Sequence, residues 1–216
     1  MNGDELKAQR TNAVWTHLNS HERVSSRWHA RGKGLHRRPV DQFGCNIDRD
    51  VTVQIVQQEI VGTGIWVGDI SAGRNCVRDD RWAVANTSKH FHAELVGVPA
   101  IRLKSSPHYL KLQRDGLLSF NMVDAEARYY NMLGPQAFVD ALDFVDTWRG
   151  VRSILINCDR GTSRSPTVAL LYASKRLGII PDASFAEARS AFRELYPAYQ
   201  PAGIGNFVAM HWATIN

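Results

Sequence analysis

The run Val151-Arg152-Ser153-Ile154-Leu155-Ile156 leads through Asn157 into Cys158-Asp159-Arg160-Gly161-Thr162-Ser163-Arg164-Ser165-Pro166, and this stretch constrains the fold more than any other. The apolar, β-branched run reads as a buried strand. Pro166 suits a first helical turn, and Val168, Leu170, Leu171, Tyr172 and Leu177 continue a helix. Lys175 and Arg176 complement its negative end, and Gly178 stops it. Between strand and helix stands a thiol six residues before an arginine. A tight turn there aims backbone N–H groups inward at a helix N-terminus, forming a nest that holds an anion and favours a thiolate. Gly161 lets the backbone turn without a side chain blocking that anion. Arg164 brings a planar fork of donors suited to two phosphate oxygens. The bland competing reading is a buried structural cysteine in an α/β core.

The rest of the chain alternates strands and helices. Val51–Val56, Ile65–Val67, Trp82–Asn86, Val98–Leu103 and Leu117–Val123 read as strands. Gly134-Pro135 opens a helix that carries Phe138, Leu142, Val145 and Trp148 on one face, and Gly150 ends it. Ser184 with Glu187 forms a capping box for a helix burying Phe185, Ala188, Phe192 and Leu195, and a last helix covers Ile204–Trp212. The expected fold is α/β, a central mostly parallel sheet flanked by helices. At 216 residues the chain holds one such domain, placed at 51–216, plus an N-terminal extension over 1–50 with a short helix at Glu5–Leu18.

Cys158 to Ser165 resembles the phosphate loop of the cysteine-dependent protein tyrosine phosphatases. The ending Gly161-Thr162-Ser163-Arg164-Ser165 is similar to their dual-specificity branch. Ile65-Trp66-Val67-Gly68-Asp69-Ile70-Ser71-Ala72 looks like that branch's opening strand and turn. Phe192-Arg193-Glu194-Leu195-Tyr196-Pro197, with Pro201 and Phe207 beyond, looks like its closing helices, so the likeness extends over roughly 65–213. Two positions depart from the pattern: Asn157 stands where the family has histidine, and Arg160 where dual-specificity members carry alanine.

The resemblance implies hydrolysis of phosphate monoesters through a cysteinyl-phosphate, with phosphotyrosine, phosphoserine and phosphothreonine proteins as substrates. Cys158 is then the nucleophile, and Asp159, Arg160, Gly161, Thr162, Ser163 and Arg164 wrap the phosphate. Ser165 donates to the sulfur, or caps the helix beginning at Pro166. Asp124, 34 residues before Cys158 on the loop after an apolar strand, is the expected general acid. Glu126 and Asp115 are its rivals, while Asp69 suits a turn. Asp159 has to point away from the sulfur, because a carboxylate there opposes the thiolate. Arg160 gives a Cys-x-Arg-Gly pattern similar to phosphatases of highly phosphorylated inositols, a second reading set against a salt bridge from Arg160 to Asp159. A third reading is a silent phosphate-binding module.

No metal or cofactor is required, and His90 and His92 around Phe91 make no ligand set. Three cysteines without paired spacing argue against a disulfide scaffold. Cys45 or Cys76 could pair with Cys158 under oxidation, but inert cysteine is the simpler reading. A reactive thiol points to a reducing compartment, the cytoplasm of the cell that makes the protein or of one it is delivered into. No run is long and apolar enough to span a bilayer. The net charge of +5 is matched by Arg27, Arg31, Lys33, Arg37 and Arg38 within 24–40. That stretch would attract an anionic partner, or is simply a solvated arm.

Overall fold

The structure, a computed structural model, describes residues 56–216. The helix expected at Glu5–Leu18, the basic stretch 24–40, Cys45 and nearly all of the strand expected at Val51–Val56 lie outside the described residues. Six strands form one sheet: β1 (Gln57–Ile60), β2 (Ile65–Gly68), β3 (Trp82–Asn86), β4 (Lys111–Arg114), β5 (Leu117–Phe120) and β6 (Ser153–Asn157), in the order β1-β2-β6-β3-β5-β4. The four inner strands are parallel, and β1 and β4 close the two edges as antiparallel partners of β2 and β5. The helices are α1 (Ile70–Cys76), α2 (Lys89–Val96), α3 (Gln136–Trp148), α4 (Arg164–Lys175), α5 (Phe185–Leu195) and α6 (Gly203–Met210). Two 3-10 turns occupy Ala100–Ser105 and Ala127–Tyr130. The chain is an α/β protein with a mainly parallel central sheet. No helix among the described residues is long and apolar enough to cross a membrane.

β6 lies in the interior because both of its faces are covered. Ile154 and Ile156 pack into the larger core with Phe138, Leu142, Leu170, Phe192 and Phe207 of α3 to α6. Leu155, pointing the other way, meets Ala72 and Cys76 of α1. The helices start where short polar side chains reach back to the backbone. Asp69 accepts from the Ala72 N–H at 2.8 Å, Ser88 from Phe91 at 3.2 Å, and Ser184 from Glu187 at 3.2 Å. The parallel strands β3, β5 and β6 bring Thr87, Met122 and Cys158 to the same end of the sheet, where open α/β sheets bind ligands.

Several expectations are corrected. Val98–Leu103 is not a strand: Ala100–Ser105 is a 3-10 turn in which Leu103 is buried and Ile101 is 90 % exposed. The strand expected at Leu117–Val123 stops at Phe120. β1 and β4, which have the mixed sequences Gln57-Gln58-Glu59-Ile60 and Lys111-Leu112-Gln113-Arg114, were not expected at all. They are edge strands held by register against β2 and β5 rather than by an apolar signal. The last helix covers Gly203–Met210 and ends before Trp212.

Candidate active site

Cys158 follows β6, and its thiol is 2 % exposed. Two donors point at the sulfur, the Gly161 N–H and the Ser165 hydroxyl, each at 3.2 Å. Ser165 lies inside α4, which begins at Arg164, so it does not cap the helix. Ser163 occupies that position. Gly161 has φ +75° and lies against the end of β2, where a side chain would crowd the Gly68 carbonyl carbon at 3.2 Å. The loop is held from outside by the C-terminal segment. The Tyr196 hydroxyl donates to the Gly161 carbonyl at 3.0 Å, and the Gln200 N–H to the Thr162 carbonyl at 2.8 Å.

Arg164 is 2 % exposed. One terminal nitrogen donates to the carbonyls of Thr87 at 3.0 Å and Met122 at 2.7 Å, and the other to the Asp159 carboxylate at 2.6 Å. Its Nε is buried with no partner. Burial pulls the guanidinium down, but the charges of Cys158 and Asp159 outweigh this and raise its pKa above the usual value. Asp159 is fixed from three sides, by Arg164, by the Ser88 hydroxyl and by His90 at 3.4 Å. Burial pushes its carboxyl up, yet the bonds from Ser88 and Arg164 prevail and hold it below the ordinary range. The carboxylate is thus turned onto the arginine.

Asp124 lies on the loop after β5 and accepts from the Ser163 hydroxyl at 3.1 Å. Arg160, largely exposed, pairs with Asp124 at 3.7 Å, so the pairing with Asp159 weighed from the sequence is not the one formed. The rivals stand elsewhere. Glu126 pairs with Arg128 at 3.3 Å, and Asp115 bonds Arg152 at 3.0 Å near the start of β6, the end opposite Cys158. Asp69 caps α1. Cys76 is buried in the second core, where burial and Asp79 push its thiol up to about 11. Both described cysteines are free.

Asn157 is fully buried. Its side-chain amide donates to Asn86 at 3.2 Å, and its carbonyl accepts the N–H and hydroxyl of Thr87, each at 2.8 Å. Asn86 continues to Ser119 at 2.8 Å, and His92 bonds Ser119 and the His108 carbonyl, both at 2.8 Å. Burial lowers the His92 pKa, which suits a neutral ring linking these groups. This network fixes the Asn86–Ser88 turn, which in turn grips Arg164 and Asp159. Thr87, Ser88, Met122, Tyr196 and Gln200 were not singled out from sequence. Only Ser88, a short polar residue at a helix start, left a local signal.

Gly203 approaches the Asp124 loop so closely that an added Cβ would collide with the Ala125 carbonyl oxygen and sit 2.6 Å from Glu126 Cα. Gly203→Ala therefore moves either α6 or that loop. The expected outcome is a loss of about 1–3 kcal/mol in thermal or urea unfolding. Unchanged stability would contradict the tight contact.

Neither a protein-family model nor a curated protein sequence matches the chain. Solved structures do. The Yvh1 phosphatase domain from Chaetomium thermophilum aligns at TM-score 0.48 and 19% identity, covering 74% of this chain and 96% of that one. Human DUSP28 aligns at TM-score 0.46 and 16% identity, over 72% and 91%. The PTP-2 phosphatase of Cydia pomonella aligns at TM-score 0.46 and 18% identity, over 74% and 86%. At such identities the chemistry has to be read from the site itself.

Proposed function

We propose that the chain is a cysteine-dependent phosphatase of dual-specificity type, hydrolysing phosphotyrosine, phosphoserine and phosphothreonine proteins through a cysteinyl-phosphate. One observation carries this reading: a buried arginine, charged and otherwise bonded, keeps an unpartnered Nε on the loop that carries the Cys158 thiol. A buried donor left unpaired is costly, and an oxyanion beside the sulfur would satisfy it.

The Cys158 thiolate attacks phosphorus, the S–P bond forms, and the P–O bond to the leaving group breaks. Asp124 protonates that oxygen as it leaves. Arg164 and loop N–H groups hold the equatorial oxygens. Water then attacks phosphorus and gives its proton to Asp124. The S–P electrons return to sulfur, where the Gly161 N–H and the Ser165 hydroxyl stabilise them. Asn157 cannot become cationic, so charge on the sulfur is met by these donors, by Arg164 and by the α4 N-terminus.

Under reducing conditions the protein should release phosphate from an aryl phosphate. Acid quenching during turnover should leave one phosphoryl group on the peptide that contains Cys158. Binding of inorganic phosphate with neither release nor a phosphorylated peptide would show a silent binding module instead.

A further inference from the structure

A cleft of about 150 Å³ lies beside the loop that carries Asp124, and the proposed reaction does not use it. Lys89, Leu103, Lys104, Val123, Tyr129 and Met132 are among its walls. It shares a wall with the site. The Lys89 N–H donates at 2.9 Å to the Met122 carbonyl, the same oxygen that accepts from Arg164. Ser88, which bonds Asp159, immediately precedes Lys89, and Val123 immediately precedes Asp124.

Two properties of the cleft point to an occupant. Tyr129 and Met132 are 52% and 64% exposed, and Ile101 stands one 3-10 turn from Lys104 on the same side of its helix. Apolar side chains gathered in the open next to a site mark an interaction surface. Neither Lys89 nor Lys104 has an ion-pair partner among the described residues, and nearby Glu126 is already taken by Arg128. The cleft is therefore apolar with a cationic rim. An inositol polyphosphate would gain nothing from its apolar wall.

We propose that this cleft is the substrate's flanking subsite: it takes an apolar side chain of an extended phosphoprotein segment, with a carboxylate of the same segment meeting Lys89 and Lys104. The proposal rests on the phosphatase reading and names its substrate class. Side chains two residues apart in an extended segment lie on the same face, roughly 7 Å from each other, so phosphate and apolar side chain can enter adjoining pockets from one strand.

The test compares four substrates of the full chain, the last a phosphoinositide in anionic vesicles. One phosphotyrosine peptide carries a leucine and a glutamate within about three residues of the phosphate, roughly 10 Å of extended chain. Its counterpart has alanine at both positions, and an aryl phosphate has no flanking chain. The leucine–glutamate peptide should show a kcat/KM about tenfold or more above its counterpart. Lys104→Glu with Met132→Asp, both exposed positions, should bring the two peptides to within about twofold of each other. Ile101→Asp is a second variant on the same rim and should shrink the gap in the same direction.

Equal kcat/KM for the two peptides, with aryl phosphate still hydrolysed, would overturn the subsite and leave the phosphatase reading intact. Faster turnover of a phosphoinositide in anionic vesicles than of either peptide would overturn it in favour of a membrane substrate. No release even from the aryl phosphate would overturn the phosphatase reading, and the subsite with it.

Discussion

Cys158→Ser should abolish phosphate release, lowering turnover by more than about 10⁴-fold, while the folded protein still binds phosphate or vanadate. The geometry explains why serine cannot substitute. The groups bonded to Sγ, the Gly161 N–H and the Ser165 hydroxyl, are both donors. They stabilise a negative sulfur but cannot take a proton from a serine hydroxyl. Asp159, the nearest carboxylate in sequence, is committed to Ser88 and Arg164. A thiol loses its proton readily enough to work in such a donor-lined pocket, whereas a hydroxyl requires a base. Steady-state assay with an aryl phosphate, together with a binding measurement on the same variant, checks both halves. Hydrolysis that survives Cys158→Ser would remove the covalent mechanism altogether.

Asp124→Asn should show a loss that depends on the leaving group. With an alkyl or plain phenyl phosphate, whose oxygen departs poorly unless protonated, turnover should fall by about 10²–10⁴-fold. With an activated nitrophenyl ester the fall should be much smaller, because the leaving oxygen carries its charge unaided. Plotting log kcat/KM, which reports the step that expels the leaving group and not the later hydrolysis common to all substrates, against leaving-group pKa should therefore give a steeper line for the variant than for the parent. Equal losses in kcat/KM across the series would point to a structural role, anchored by Ser163 at 3.1 Å, rather than to proton transfer to the leaving group. Glu126→Gln is the matching control, since Glu126 lies on the same loop but its carboxylate pairs with Arg128. A larger effect there would transfer the role to that residue.

How far the sequence could be read depended on whether each signal was local. The strand–loop–helix unit was legible because its determinants sit within about one element of each other. An apolar run marks the strand, Gly161 the turn, Pro166 the first helical turn and Gly178 the stop. The Ser184 cap was legible for the same reason. Val98–Leu103 failed because apolar content alone does not make a strand. Ile101 has no sheet face to cover it, and the segment closes into a 3-10 turn after Pro99. β1 and β4 were invisible because their stability comes from pairing with β2 and β5 rather than from their own side chains.

By itself the sequence determined the α/β class, the position of the Cys158 loop between a buried strand and a helix, and the residue types that can hold a phosphate there. Tertiary structure alone decided what surrounds those residues. Arg164 finds Thr87 and Met122 across gaps of 77 and 42 residues, and Asp159 finds Ser88 across 71. Arg160 turns to Asp124 rather than to its neighbour Asp159. The division has a physical cause. Turns, caps and burial periodicity are set by backbone sterics over a few residues. The partners of a buried charge are set by which strand ends the sheet brings together. Parallel pairing of β6 with β3, and of β3 with β5, assembled those ends, and no local pattern encodes that order.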